Sequence, residues 1–136
     1  MSKVATDMDY TQNPASMYYL HPADLANTKL VYVPFDGTWF CDCKRSMMIS
    51  LSAKNKVGFI DGTLPRPSSD KAKQKAWDRC NNMVIGWIIA SLDKMTAKSI
   101  MYYTTTREIW CNLEERFGKT SSAQLYSIKE ELFNAT

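Results

Sequence analysis

The sequence predicts a mostly α-helical protein, a compact bundle of about five helices preceded by an extended N-terminal segment. Apolar residues recur every three or four positions in several stretches, which is typical of amphipathic helices. Turn residues separate these stretches, and no alternation of strands and helices indicates a parallel sheet. With 136 residues, of which 45% are apolar and 23% charged, the chain suits one folded domain.

The domain organisation follows from where the apolar pattern begins. Residues 1–16 are polar and lack a period, so we expect a flexible N-terminal arm before a single helical domain over 17–136. The run Leu30–Val33 is β-branched and aromatic, which is compatible with a short strand or hairpin. Asp36-Gly37 then indicates a turn.

The first helix is expected to follow Thr38, whose hydroxyl would cap it, and to run to about Lys56. Gly58 is a natural stop after its last turn. Residues 59–67 then predict an apolar pair, an Asp-Gly turn and an extended proline-rich connector.

A second, longer helix is predicted from a Ser69 or Asp70 cap to about Leu92. Its apolar stripe is wide, so we expect this helix at the centre of the bundle. Gly86 inside it costs roughly 1 kcal/mol relative to alanine. A close helix–helix approach is one reason to keep so small a residue there.

Three shorter helices complete the predicted bundle. Asp93 would cap the third, which runs to about Tyr102. Thr105-x-x-Glu108 has capping-box spacing and starts the fourth, which Gly118 ends. Ser121-x-x-Gln124 has the same spacing, so the stretch 119–136 is expected to hold a fifth helix.

The apolar stripes predict both the core and a candidate contact surface. The residues expected in the core are Phe40, Met47, Leu51, Trp77, Val84, Trp87, Ile88, Trp110, Leu113 and Phe117. The last stripe has little sequence left to pack against, so we expect it to mediate self-association. Its residues are Leu125, Ile128, Leu132 and Phe133.

The charge of the chain only weakly indicates nucleic-acid binding. The net charge is +3, which is low for a dedicated nucleic-acid-binding domain. Lysines and arginines nevertheless cluster on the first two helices, and a solvated helix face is the more frequent explanation of such clusters. The candidates for weak RNA contact are Lys44, Arg45, Lys71, Lys73, Lys75 and Arg79, with Lys54 and Lys56 further along the first helix.

Catalytic chemistry finds little support in the sequence. A cysteine nucleophile usually needs a histidine base, and the one histidine, His21, lies in the extended segment. Asp36-Gly37-Thr38 and Asp61-Gly62-Thr63 have the wrong residue order for an aspartic protease loop and indicate turns instead. We therefore predict a protein that is not an enzyme, although a thiol hydrolase stays open as an alternative.

Cofactors and membranes are also not expected. The four cysteines lack zinc-site spacing, and no phosphate-binding glycine loop occurs, so neither a metal nor a small-molecule substrate is predicted. No secretory start and no apolar run of about 20 residues is present. These features predict an intracellular, cytoplasmic protein with reduced thiols.

Four ordered segments resemble one known family. Residues 13–22 (NPASMYYLHP) are similar to the opening of Gag polyproteins from plant copia-type LTR retrotransposons. Residues 44–62 (KRSMMISLSAKNKVGFIDG) resemble the most recognisable stretch of that family. Residues 77–87 (WDRCNNMVIGW) and 108–117 (EIWCNLEERF) continue the resemblance in the same order, over roughly residues 13–133.

The resemblance implies a helical capsid N-terminal domain. Gag copies of this family self-associate into a shell, a virus-like particle, that packages the RNA of the transposable element. By this resemblance, the stretch 119–136 would link to a second capsid lobe that the sequence does not contain. The zinc knuckle that usually binds RNA is also absent from the sequence, so we expect the chain to derive from something longer.

One position departs from the family pattern. The family usually has tryptophan before Lys44-Arg45-Ser46, whereas this chain has Cys43. Trp39 lies one turn earlier and is a candidate to refill that volume. A cavity left there would cost a few kcal/mol.

The sequence thus supports a leading hypothesis and two alternatives. The leading one is a non-enzymatic capsid domain that self-associates with copies of itself or with other Gag chains. The first alternative is a domesticated Gag fragment that acts as a protein-binding adaptor or an assembly inhibitor. The second is a weak RNA-binding module.

Overall fold

The computed structural model describes residues 9–119 and is mostly helical, as predicted. A 3-10 turn, Tyr10–Gln12, precedes the bundle. Five α-helices follow among these residues: α1 Phe40–Ala53, α2 Gly58–Asp61, α3 Lys71–Ala90, α4 Lys94–Ile100, and α5, which is helical over 106–119. The predicted helix capped by Ser121-x-x-Gln124 lies outside the described residues.

The start of α1 differs from the prediction because Thr38 is engaged elsewhere. The Asp36 carboxylate accepts hydrogen bonds from the Thr38 amide at 3.0 Å and from its hydroxyl at 2.7 Å. This closes the Asp-Gly turn and directs the Thr38 hydroxyl toward Asp36. Trp39 is the N-cap instead, with φ 59° and no side-chain cap bond.

The end of α1 is also earlier than predicted. The helix ends at Ala53, and Asn55 adopts the left-handed conformation, with φ 57°. Gly58 is therefore not a stop but the first residue of the single-turn helix α2. Lys56 was expected on the surface, yet it is only 2% exposed, because the turn after α1 points its side chain inward.

The other N-terminal caps predicted within the described residues are confirmed. The Asp70 side chain accepts a hydrogen bond from the Lys73 amide at the start of α3, and Asp93 accepts one from the Thr96 amide at the start of α4. Thr105 and Glu108 form both bonds of a capping box before α5. Gly118 does not end α5, since residue 119 is still helical.

The central helix α3 carries much of the core. Nine of the ten predicted core residues lie in the interior, at 8% exposure or less, and Phe117 is half-buried against them. Asn81 of α3 also ties down the start of α5. Its side-chain oxygen accepts hydrogen bonds from the amide and hydroxyl of Thr106, both at 2.9 Å, and its side-chain nitrogen donates to the Thr104 carbonyl.

The segment before α1 packs along the bundle without forming a strand. Among the described residues, the predicted strand over Leu30–Val33 is absent, and one isolated bridge pairs Phe35 with Leu92. The reason is that Ser91 takes the Leu30 amide through its hydroxyl, so the backbone bends instead of pairing. From residue 9 onward the predicted arm also packs on the domain, and Thr11 is 2% exposed.

Gly86 is explained by a close approach of a loop, not of another helix. A Cβ atom placed on Gly86 would lie 2.5 Å from the carbonyl oxygen of Ala26. Real Cβ atoms do not approach backbone this closely, so either the loop or the helix would have to move. The glycine therefore lets the segment before α1 lie directly on α3.

We predict that Gly86→Ala destabilises the fold by about 2 kcal/mol, because the steric cost outweighs the roughly 1 kcal/mol that alanine gains in a helix. Gly118→Ala is the matched control, since a Cβ there meets nothing within 4 Å in a helix of the same protein. It should raise the free energy of unfolding or leave it unchanged. Urea denaturation of both variants measures this, and a stabilising Gly86→Ala would contradict the close approach.

Candidate interaction surface

A shallow apolar groove lies between the segment 31–38 and the first turns of α1. Its volume is about 360 Å³, and its lining as a whole is mostly apolar, with Asp36, Thr38, Asp42 and Ser46 as the polar members. Val31 and Phe35 form its buried base, while Val33 and Trp39 are exposed at its rim, at 70% and 45%. We call this feature the α1 groove, and it is lined by Val31, Val33, Pro34, Phe35, Trp39 and Cys43, among others.

The position of Trp39 shows whether its side chain fills the volume that Cys43 leaves beside α1. Trp39 stands at the N-cap of α1 and lines the groove beside Cys43 without closing it. A bulky residue in the left-handed region is strained by about 1–3 kcal/mol, and glycine or asparagine would adopt it more easily. The backbone thus places the large aromatic side chain of Trp39 at the groove, although the left-handed conformation of this residue costs free energy.

Three aromatic rings connect the groove to the end of α5. The Phe117 ring packs edge-on against Phe35, with 4.8 Å between the ring centroids, and lies tilted against Phe40 at 6.1 Å. A second cleft of about 420 Å³ lies next to them, where α1 meets the last described residues, Gly118 and Lys119. The chain therefore continues beyond residue 119 from a point close to the start of α1.

Exposed apolar side chains also gather around α4. Met95, Met101 and Tyr102 are exposed at 76%, 56% and 94%, and Tyr103 follows at 37%. Scattered exposed apolar residues are ordinary in a soluble protein, but clustered ones mark contact surfaces. The α1 groove and this α4 cluster are two apolar surfaces that the described residues offer to a partner.

The predicted basic residues are exposed, paired with acidic side chains or, in the case of Lys56, buried. Lys71, Lys73 and Lys75 are exposed on the first turns of α3, where Lys73 also lies 6.0 Å from the Tyr10 ring. Arg79 is held by Asp9 and Thr11, at 3.1 and 3.0 Å.

On α1, Lys44 pairs with Glu114 at 3.4 Å, and Arg45 is exposed. Lys54 pairs with Asp24 at 2.7 Å. Several of these charges are thus paired with nearby acidic side chains. This pairing weakens the positive electrostatic potential that would attract phosphate groups.

Sequence reasoning missed the role of Lys56. Its ammonium donates hydrogen bonds to the carbonyls of Tyr19, at 2.7 Å, and Lys54, at 3.2 Å. Burial lowers the pKa of Lys56 from its usual value, because water no longer solvates the charge. No signal in the sequence distinguishes this lysine from its solvated neighbours. It is buried because the turn after α1 packs against the segment that contains Tyr19.

The acidic and thiol candidates have structural roles. Asp61 holds Thr63 as Asp36 holds Thr38, with 2.9 Å to the amide and 2.7 Å to the hydroxyl, so both Asp-Gly-Thr motifs are turns. These hydrogen bonds hold the pKa of both carboxyl groups below the usual range.

The buried Cys80 thiol donates to the Tyr18 carbonyl, and His21 accepts from the Ala23 amide. Within residues 9–119, no cluster of three or more histidine, cysteine or acidic side chains could hold a metal ion. No helix in the described range is long and apolar enough to cross a bilayer.

The comparisons with known proteins identify one family. A family model described as the Gag polypeptide of copia-type LTR retrotransposons matches residues 21–68, about a third of the chain. This segment contains the α1 groove, α1 and α2, and it confirms the resemblance to copia-type Gag. No curated protein and no solved structure matches significantly.

The family match over residues 21–68 indicates a class of protein. Gag polypeptides are structural proteins and not enzymes, and the helical bundle carries their copia-type segment. The match therefore supports a structural, capsid-related role.

We predict that Cys43 makes stability fall at alkaline pH. Burial raises the pKa of its thiol from 9.0 to about 11. Between these values the unfolded chain loses a proton that the folded chain keeps, so the free energy of unfolding falls as pH rises. Two pKa units correspond to about 2.7 kcal/mol.

Cys43→Ala should reduce the loss of stability between about pH 8 and pH 11 by about 2 kcal/mol. Ser46→Ala is the control, because it changes a side chain of the same groove that does not titrate. Its effect should be equal at both pH values. An unchanged pH profile in Cys43→Ala would show that this thiol is not buried as described.

Proposed function

We propose that this chain is a structural domain that self-associates in the assembly of a copia-type Gag shell. The match of residues 21–68 to the Gag polypeptide family carries the proposal. Proteins of this kind act by contact between copies, so the relevant chemistry is burial of apolar surface and not catalysis.

The exposed apolar surfaces support contact with other protein chains. The α1 groove has Tyr32, Val33 and Trp39 exposed around it, and the α4 cluster adds two methionines and two tyrosines. Aromatic residues and methionine are enriched at protein interfaces, whereas lysine is depleted there. Both surfaces therefore have the composition expected of a contact site.

The predicted stripe over residues 125–133 belongs to the same proposal. Its four apolar residues lie at helical spacing in the sequence, outside the described residues. We propose that it contributes to self-association together with the surfaces above. Other Gag chains would be suitable partners for the same reason.

The test is the molar mass of the full chain as a function of concentration. Sedimentation equilibrium from about 1 μM to about 1 mM spans the affinities expected of weak, transient contacts. We expect the weight-average mass to rise well above that of the monomer across this range. A mass that stays at the monomer value up to the highest concentration would contradict self-association and favour an adaptor that binds a different protein.

A further inference from the structure

We propose that the acidic side chains of the α1 groove, Asp36 and Asp42, contact the lysines beside the α4 cluster, Lys94 and Lys98, in a second copy of this chain. This inference rests on the proposed self-association and assigns it to one pair of surfaces. The apolar side chains next to these charges would be buried in the same contact.

The first observation is that the α1 groove carries negative charge. Asp36 and Asp42 both line it, and both are exposed. The described lining contains no lysine or arginine, and Arg45 lies further along α1 outside it. Neither carboxylate forms an ion pair with another described residue. The groove is therefore an apolar surface with two uncompensated negative charges.

The second observation is that positive charge lies beside the α4 cluster. Lys94 and Lys98 are four residues apart on α4 and share one helix face, and Met95 lies within about 100° of both around the axis. All three are exposed, whereas the opposite face, which includes Ala97 and Ile100, is buried. Neither lysine takes part in an ion pair within residues 9–119.

The two surfaces are neighbours on one chain but do not neutralise each other. The Phe35 amide donates to the Ser91 carbonyl at 2.9 Å, and the Asp93 amide donates to the Phe35 carbonyl at 2.8 Å. This bridge joins a wall of the groove to the residue that caps α4. Even so, no ion pair among the described residues connects the carboxylates of the groove to the lysines of α4. The charges of each surface thus remain available to another chain.

A second copy of the chain satisfies both surfaces at once. Its α4 lysines bring cations to a groove that has only carboxylates, and its exposed methionines and tyrosines can cover Tyr32 and Val33, which are 99% and 70% exposed at the groove. Complementary potentials of this kind guide association and select the partner. Nucleic acid would suit the lysines alone, because its phosphates carry the same charge as the groove.

The first test is the salt dependence of self-association of the full chain. Salt screens exposed charges, since the Debye length falls from about 10 Å at 0.1 M to about 3 Å at 1 M. We therefore expect the dissociation constant, measured by sedimentation equilibrium, to rise at least about fivefold over this range of sodium chloride. An association that salt leaves unchanged or tightens would depend on apolar burial alone and would overturn the inference.

Reversing one charge on each surface tests the contact directly. Asp42→Lys and Lys98→Asp each place like charges opposite each other, so each variant alone should raise the dissociation constant at least about tenfold. An equal mixture of the two returns opposite charges to every contact between them. The dissociation constant of the mixture should therefore come back to within about threefold of the native value.

Lys71→Asp is the matched control for these variants. It makes the same change of charge at an exposed lysine of α3 that belongs to neither surface. It should assemble like the native chain, and it should not restore the assembly of Asp42→Lys in a mixture. Urea denaturation of each variant checks folding, and recovery in the first mixture itself requires both chains to be folded.

The outcomes separate this inference from the proposed function. If the native chain self-associates and both single reversals do so equally well, these surfaces do not meet, although self-association stands. Loss of assembly in the single variants without recovery in their mixture would also overturn the pairing of the two surfaces. If the native chain is a monomer at every concentration, the proposed function itself is wrong.

Discussion

The segment before α1 depends on side chains of α3 and of the turn after α1 to satisfy its backbone. This stretch, residues 9–35, has one 3-10 turn and otherwise no regular structure, yet part of it is buried. Buried carbonyls and amides that lack partners cost free energy, so each needs a hydrogen bond from somewhere. Three side chains donate to consecutive parts of it: Cys80 to the Tyr18 carbonyl, Lys56 to Tyr19 and the Trp87 indole to Leu25.

The same requirement explains the features that look unusual in isolation. Lys56 keeps a buried cation because two carbonyls converge on it, and Ser91 both takes the Leu30 amide and donates to the Trp87 carbonyl. Gly86 has no side chain that would hold the segment away from α3. Together these contacts hold the segment that forms one wall of the α1 groove. They therefore determine the shape of the candidate interaction surface.

The groove shows how a fold of ordinary helices can present a specific surface. A helix bundle alone offers mostly convex, charged faces. Here the irregular segment packs beside α1, and the space between the two is mostly apolar, with Cys43 in its lining and Trp39 exposed at its rim.

Local signals in the sequence were sufficient for the helices and most of the core. Asp70, Asp93 and the Thr105–Glu108 box act within one turn of the residues they cap, so their spacing alone predicts them. Apolar spacing placed Trp87 and Leu113 in the interior for the same reason.

Tertiary structure decided the rest, because distant partners compete with local ones. Ser91, 61 residues away, binds the Leu30 amide of the predicted strand, whereas the bond that draws Thr38 from the predicted cap is a local one, from its hydroxyl to Asp36. Burial of Lys56 depends on Tyr19, 37 residues away, and the groove at Trp39 depends on Ser91 holding the segment before α1 in place. The pattern of a single segment carries no information about such contacts.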